Sequence, residues 1–249
     1  MIVIGVAITL LLLLVSPGQE VPVGTVIPVM LRTSLNASKD KPEKRIEGRV
    51  MQDVILPSGL KIRQGARVLG HAANVKTGSS GSSIVVKFDA IQNDAHMIPF
   101  TTGVLAVASM TSVHDAQLPI SLNSDAVPET QWATRQVGGD LVRRGWGKVF
   151  SSDGSVGRWV GGSSVVAMPT PNPKAGCSSG PGYEREQSLW IFSSAACGAY
   201  GLRYLRIASS GVMPPLGEID LTSSRNVNIR GGSGWLLIVA KEFRLTDPR

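Results

Sequence analysis

Short runs of apolar and β-branched residues, separated by clusters of glycine, proline and serine, dominate the chain. In the first half these runs cover residues 24–35, 50–56, 66–71, 84–91 and 98–109. Runs of this length bounded by turn residues are typical of β-strands. The run GSSGSS at 78–83 predicts a flexible hairpin tip between two of the strands.

The second half continues this pattern with more glycine. Asp153-Gly154 is a strong hairpin signal. Further short runs recur at regular spacing, over 187–193, 200–208, 217–221, 227–230 and 235–239. Such a cadence predicts a sandwich or a barrel. The best helical window, 131–144, contains two glycines, and we therefore predict an all-β fold.

A polar stretch at 112–130 divides the two halves. It holds two prolines and shows no clear period, which favours a linker or a domain seam. We accordingly predict a β-barrel-like module over 20–111, a linker over 112–130 and a second β-sandwich module over 131–241. Both modules would follow an N-terminal segment over 1–19.

That N-terminal segment begins with fifteen residues that carry no charge and are interrupted only by Thr9. A membrane-spanning helix needs about 20 apolar residues, whereas the core of a secretory signal needs roughly 7–15. The segment therefore predicts a signal peptide. It lacks a Lys or Arg after Met1, so an uncleaved anchor stays open as the alternative. We expect an exported protein that is periplasmic, associated with the outer membrane or extracellular.

The formal net charge of +7 is spread over both halves rather than concentrated. Proteins that bind nucleic acid usually gather their basic residues on one face with aromatic residues between them. The only charge cluster, at 39–45, alternates in sign and is typical of a solvated loop. Nucleic acid is therefore not an expected partner, whereas weak attraction to anionic envelope surfaces remains open.

Cys177 and Cys197 are the only cysteines. In an exported chain, two cysteines this close in sequence predict a disulfide. The bond would close a loop of about 20 residues, which the chain-entropy model values at roughly 3 kcal/mol. Two unpaired thiols are the alternative.

No catalytic or metal-binding pattern stands out. The three histidines lack the spacing of known metal motifs, and we predict no catalytic residue, metal or cofactor. Glycoside hydrolysis requires two facing carboxylates. The carboxylates that could serve, whose spacing singles out no pair, are Glu184, Glu186, Glu218 and Asp220.

Three tryptophans are candidates for stacking against a ligand. Trp132, Trp146 and Trp159 lie at 13–14-residue spacing, and each has an arginine within three residues. Such rings could form a platform for sugars, but tryptophan is also a common core anchor in a β-sandwich. Trp190 and Trp235 lie within apolar strands, and we predict that both are buried.

Three segments of the first half resemble a known module in their order. Residues 24–31 (GTVIPVML), 48–56 and 62–70 (IRQGARVLG) read as a strand, a strand and a hairpin. Over 24–71 the chain is similar to the β-domain of the conjugation-type (type IV) secretion channel family, with Arg63 in place of a proline. The resemblance implies a β-barrel-like module, whereas the long membrane-crossing helical insertion of that family has no counterpart here.

The second half, with WIFSSAACG at 190–198, resembles uncharacterised exported bacterial proteins, which implies an origin in a bacterial envelope. We therefore predict a non-enzymatic exported envelope protein with a binding, structural or assembly role. Its expected partners are envelope proteins or polysaccharide, and membrane contact is expected only through the N-terminal segment. The alternative is a secreted hydrolase or carbohydrate-binding protein that acts on cell-wall or extracellular polymer.

Overall fold

The computed structural model of the chain describes residues 19–94, 96–120, 133–171, 173, 182–208 and 217–245. The predicted signal segment lies almost entirely outside these residues, so cleavage stays a prediction. Within the described ranges the chain forms β-strands and one short helix, α1 (Met110–Asp115), which confirms the all-β prediction.

The strands, in chain order, are β1 (Gln19–Val21), β2 (Val26–Leu31), β3 (Leu35–Asn36), β4 (Arg45–Val50), β5 (Val54–Ile55), β6 (Lys61–Ile62), β7 (Arg67–Gly78), β8 (Gly81–Asn93), β9 (His96–Pro99), β10 (Thr101–Ala108), β11 (Ala133–Arg135), β12 (Leu141–Gly145), β13 (Lys148–Ser151), β14 (Gly154–Gly161), β15 (Ser164–Ala167), β16 (Gln187–Ser188), β17 (Gly198–Tyr200), β18 (Leu205–Ile207), β19 (Ile219–Ser223), β20 (Asn228–Ile229), β21 (Gly234–Lys241) and β22 (Phe243–Leu245).

The larger sheet has ten strands in the order β17-β10-β21-β2-β4-β7-β8-β19-β18, with β9 beside β8. It curls around a single core. Phe88 on β8 and Trp235 on β21 meet edge to face with their ring centroids 5.7 Å apart, although three strands separate β8 from β21 in the sheet. The side chains on its inner face therefore converge as they would in a barrel.

The smaller sheet has six strands in the order β11-β12-β13-β14-β15-β16. It packs on the outer face of β10, β21 and β2, where Val26, Leu236 and Ile238 form a second core with Val149 and Val165. These three strands of the larger sheet are consequently buried on both faces, which explains their nearly continuous apolar sequences.

We call the contact between the two sheets the seam. The buried side-chain amide of Gln187 holds it in place. The Gln187 side chain accepts from the N–H of Val26 at 3.0 Å and donates to the carbonyls of Gly24 at 3.2 Å and Gly182 at 2.8 Å. Every polar atom of this buried amide therefore has a hydrogen-bond partner. These bonds fix the position of β16 of the smaller sheet against β2 of the larger sheet.

The strand pairing does not follow the predicted division into 20–111 and 131–241. The C-terminal strands return to the larger sheet, where β21 lies between β2 and β10, β19 pairs with β8, and β22 pairs with β1. Within the described residues, the second module is thus limited to β11–β16. Local hydrophobic patterns identify strands but carry no information on which distant strand completes the sheet.

Most of the predicted turns occur where they were expected. The 78–83 run contains the β7–β8 tip, and Asp153-Gly154 lies at the β13–β14 hairpin. The best helical window, 131–144, is not helical where it is described: it contains β11 and most of β12, joined through Gly138-Gly139, in agreement with the all-β prediction. Glycines in that position favour a turn over a continued helix.

Candidate functional site

The hairpin between β12 and β13 turns on only two residues, Trp146 and Gly147. Both have positive φ angles, +53° and +74° respectively, as in a type I′ turn, whose twist matches the flanking strands. The Trp146 side chain is 98% exposed, the highest exposure among the described large apolar residues. The turn therefore projects an indole ring into solvent.

Local energetics do not favour tryptophan at this position. Type I′ turns prefer Asn-Gly because both central residues must adopt positive φ. A bulky L-residue in the left-handed region is an outlier and costs about 1–2 kcal/mol. Gly147 carries no such cost, so the conformational cost of the turn falls on Trp146.

A second tryptophan is held beside this turn. The backbone N–H of Trp159, on β14, donates to the Gly147 carbonyl at 2.9 Å, and its indole Nε1 donates to the Gly162 carbonyl at 2.9 Å. The Trp159 side chain is 41% exposed and its neighbour Val160 is 48% exposed. These side chains extend the apolar surface of the turn along the end of β14.

Arg144 supports the same region from inside the sheet. It is buried, and its guanidinium also donates to the Gly162 carbonyl. Burial lowers its pKa, and its Nε has no hydrogen-bond partner. The Gly162 carbonyl thus accepts from both Arg144 and Trp159, which fixes the loop after β14.

Cations lie on one face of the β12–β14 strands. Arg143 pairs with Phe150 and Lys148 pairs with Arg158 in the antiparallel register, and directly opposed residues share a face. We call Arg143, Lys148, Phe150 and Arg158 the basic face. Because two cations directly opposite each other are destabilising, the arrangement is not explained by stability.

Only one acidic group compensates this charge within the described ranges. Glu186 forms a two-pronged ion pair with Arg158, with Nε to Oε1 at 3.1 Å, and the pair lowers the pKa of Glu186. Arg143 and Lys148 make no ion pair with any described residue. The basic face therefore retains uncompensated positive charge next to the exposed tryptophan.

A cavity of about 620 Å³ lies elsewhere, between α1, the β11–β12 turn and residues 193–201. Its lining includes the carboxylates of Asp115, Asp140 and Asp153. Tyr200 forms part of the wall: its hydroxyl donates to the Cys197 carbonyl and accepts from the Cys197 N–H, both at 2.9 Å. Burial raises the pKa of Tyr200, so its phenol stays protonated at neutral pH.

The structure separates the predicted tryptophans into groups. It brings Trp159 to the Trp146 turn, whereas Trp132 lies outside the described residues. Trp190 and Trp235 are 3% and 0% exposed, which confirms the prediction that both are buried. The local signal for the exposed ring was its position between Gly145 and Gly147, which indicates a turn rather than a strand interior.

The described residues do not test the predicted disulfide, because only one of its two cysteines lies among them. Cys197 immediately precedes β17, but Cys177 lies outside the described residues. The Cys177–Cys197 bond therefore stays a prediction.

Of the carboxylates considered from sequence, Glu186 and Glu218 do not converge. Glu186 pairs with Arg158 on the smaller sheet, whereas Glu218 pairs with Lys87 on the larger sheet at 2.9 Å. The three aspartates of the cavity were not anticipated, because they come from α1 and from two separate turns. The sequence predicted the turn at Asp153-Gly154, but not that this turn faces one cavity with α1 and the β11–β12 turn.

The described residues offer neither a metal-binding cluster nor a membrane-spanning helix. No group of three or more His, Cys, Asp or Glu residues among them could hold a metal ion. No helix in the same residues has the length and apolar character needed to cross a bilayer.

Comparison with known proteins finds no family whose model matches the chain and no curated protein that matches it. The resemblance of residues 24–71 to the secretion-channel β-domain therefore stays a prediction.

Proposed function

We propose that the chain is a non-enzymatic exported envelope protein with a binding or assembly role, and that it contacts its partner through Trp146 and the basic face. The observation that carries this proposal is the exposed indole of Trp146 on a strained turn. Tryptophan and arginine are the residues that most often dominate binding energy at interfaces.

The Trp146 turn and the basic face lower the stability of the isolated chain. Trp146 adopts an unfavourable backbone conformation without burying its ring, and Lys148 opposes Arg158. Local strain persists where function requires it. A partner that covers the indole and neutralises the cations would recover this free energy on binding.

The proposal is tested by fractionating cells that express the full chain with a C-terminal tag. We expect the protein in the periplasm, the envelope or the medium, and less of the Trp146→Ala variant retained with the envelope. Met97→Ala is the matched control, because Met97 is also exposed but lies on β9 of the larger sheet. Recovery of the wild-type chain only from the cytoplasm, with residues 1–18 still attached, would show that the proposal is wrong.

The same preparation tests the predicted disulfide. Mass spectrometry of unreduced peptides should recover Cys177 and Cys197 in one cross-linked species. Two separately alkylated cysteines in the exported protein would exclude the bond.

A second candidate function, a hydrolase or carbohydrate-binding protein, is favoured by the cavity with Asp115, Asp140 and Asp153. Paired carboxylates are the groups that glycoside hydrolysis requires. Turnover of a panel of glycosides, peptides and esters that is abolished by Asp140→Asn and Asp153→Asn would establish the hydrolase. Turnover that both variants retain would exclude the cavity as its active site.

A further inference from the structure

We propose that the Trp146 turn is an interfacial anchor that docks the protein on a bilayer surface containing anionic phospholipid. This inference rests on the proposed function, because it names the partner of the same surface. It also adds a membrane contact beyond the N-terminal segment, through side chains of the folded part of the chain.

The shape of the turn favours a bilayer over a small ligand. Binding sites for small molecules are concave and surround most of their ligand. Trp146 is 98% exposed at the tip of a two-residue turn, so the described chain builds no wall around it. A bilayer interface can itself surround such a ring, and indole favours that boundary because it combines an apolar body with an N–H donor.

The neighbouring side chains extend this apolar tip. Trp159 and Val160, both partly exposed, lie at the end of β14, where the Trp159 N–H bonds to the Gly147 carbonyl. The Trp159 Nε1 is already satisfied by the Gly162 carbonyl. The ring of Trp159 can therefore approach an apolar phase without leaving a donor unpaired.

The charge of the basic face selects the lipid. Arg143 and Lys148 are exposed and have no ion pair among the described residues, and Arg158 shares its charge with Glu186 alone. Each Lys or Arg near an anionic membrane surface strengthens binding about fivefold. Long basic side chains can reach the headgroups while their methylene stems lie along the apolar boundary. This combination favours anionic over neutral lipid.

A soluble polyanion is the weaker alternative. It would be attracted by the same cations, but attraction of this kind depends on charge and not on an exposed indole. The membrane proposal therefore predicts that the indole and the cations both contribute, and that they can be removed separately.

The test is flotation of the full chain with vesicles of phosphatidylcholine, with and without phosphatidylglycerol. We expect tighter binding where phosphatidylglycerol is present, and a difference between the two lipid compositions that narrows as salt shortens the Debye length. Trp146→Ala should weaken binding by about tenfold or more, because a large apolar side chain no longer enters the interface. Lys148→Gln should weaken it about fivefold.

Matched controls separate these effects from the rest of the molecule. Met97→Ala removes an exposed apolar side chain, and Lys76→Gln removes an exposed cation, both from the larger sheet. Neither should change binding. Residues 1–18 are present in every variant, so any contribution they make cancels in the comparison.

Fluorescence quenching by brominated phosphatidylcholine gives a second, local measurement. The wild-type chain should lose emission in mixed vesicles by more than the Trp146→Phe variant does. The difference reports the Trp146 ring itself, even where another segment dominates the overall affinity.

Three outcomes would overturn the inference: no binding of the wild-type chain to anionic vesicles, equal binding and quenching of the Trp146 variants, or competition by dextran sulfate with no effect of Trp146→Ala. The last result would identify a general polyanion site. Cytoplasmic recovery in the fractionation experiment would instead refute the proposed function while leaving the vesicle result intact, so the two failures are distinguishable.

Discussion

Trp146 and Trp190 have the same unusual backbone angle and opposite surroundings. Both residues have φ of +53°, yet Trp146 is 98% exposed and Trp190 is 3% exposed. Bulky residues in this conformation are rare because the side chain crowds the backbone. The pair therefore places the same local strain once in a packed core and once on an exposed turn.

At Trp190 the surrounding structure compensates the strain. The backbone N–H donates to the buried Gln52 Oε1 at 2.6 Å, and the ring packs edge to face with Phe192 at a centroid distance of 6.5 Å. Gly234 leaves the space that the ring requires, since a Cβ there would lie 3.2 Å from Trp190 Cζ3. At Trp146 the ring is exposed and has no comparable packing among the described residues.

The two tryptophans should differ most in how the loss of each ring changes the free energy of unfolding. We expect Trp190→Ala to lower the free energy of unfolding by about 3–5 kcal/mol, because it empties a large buried site. Trp146→Ala should change it by less than about 0.5 kcal/mol, as is usual for exposed positions. Urea denaturation followed by circular dichroism measures both. Equal effects of the two substitutions would show that the contrast in burial has no energetic meaning.

The next effect concerns the seam to which Trp190 belongs. Gln187→Leu should lower the free energy of unfolding by about 1–3 kcal/mol, because the Val26 N–H and the Gly24 carbonyl lose a buried partner. Gln64→Leu is the control, since Gln64 is exposed, and it should be nearly neutral in the same denaturation experiment. If Gln187→Leu left the free energy of unfolding unchanged, apolar packing alone would hold the two sheets together.

At the exposed turn, a substitution should raise stability. Trp146→Asn is expected to increase the free energy of unfolding by about 1 kcal/mol, because asparagine tolerates positive φ and no packing is lost. Gly147→Ala should do the opposite by a similar amount, since Gly147 has φ of +74°. Thermal unfolding of both variants gives the signs. A destabilising Trp146→Asn would show that the indole makes stabilising contacts within the chain.

The difference between these tryptophans also marks the limit of sequence-based prediction. The apolar run around Trp190 predicts burial, and this is correct because a strand period is a local property. The placement of β21 between β2 and β10 is not local, and for that reason the predicted module boundary fails. No turn was predicted at 145–147, even though Gly145 and Gly147 flank Trp146 in the sequence.

The smallest expected effect on stability comes from the pH dependence of the Arg158–Glu186 ion pair. Arg158 lowers the pKa of Glu186 in the folded state, so the contribution of this ion pair to stability is present above the unfolded pKa of about 4.3 and is lost as pH falls through the lower folded pKa. Both side chains are about half exposed, and the effect on stability should be slight.

Binding is the more sensitive measurement of the same titration. Protonation of Glu186 leaves the Arg158 charge uncompensated, so binding to phosphatidylglycerol vesicles should strengthen as pH falls through the lowered pKa of Glu186. Glu186→Gln should bind about fivefold more tightly than the wild-type chain at neutral pH, because one cation is released. The difference between the two proteins should then vanish at low pH, where the side chain at position 186 is neutral in both. If the difference in vesicle affinity between the two proteins stayed constant across this pH range, Glu186 would not control the charge of the basic face. The binding role of this region would then depend on the Trp146 indole alone.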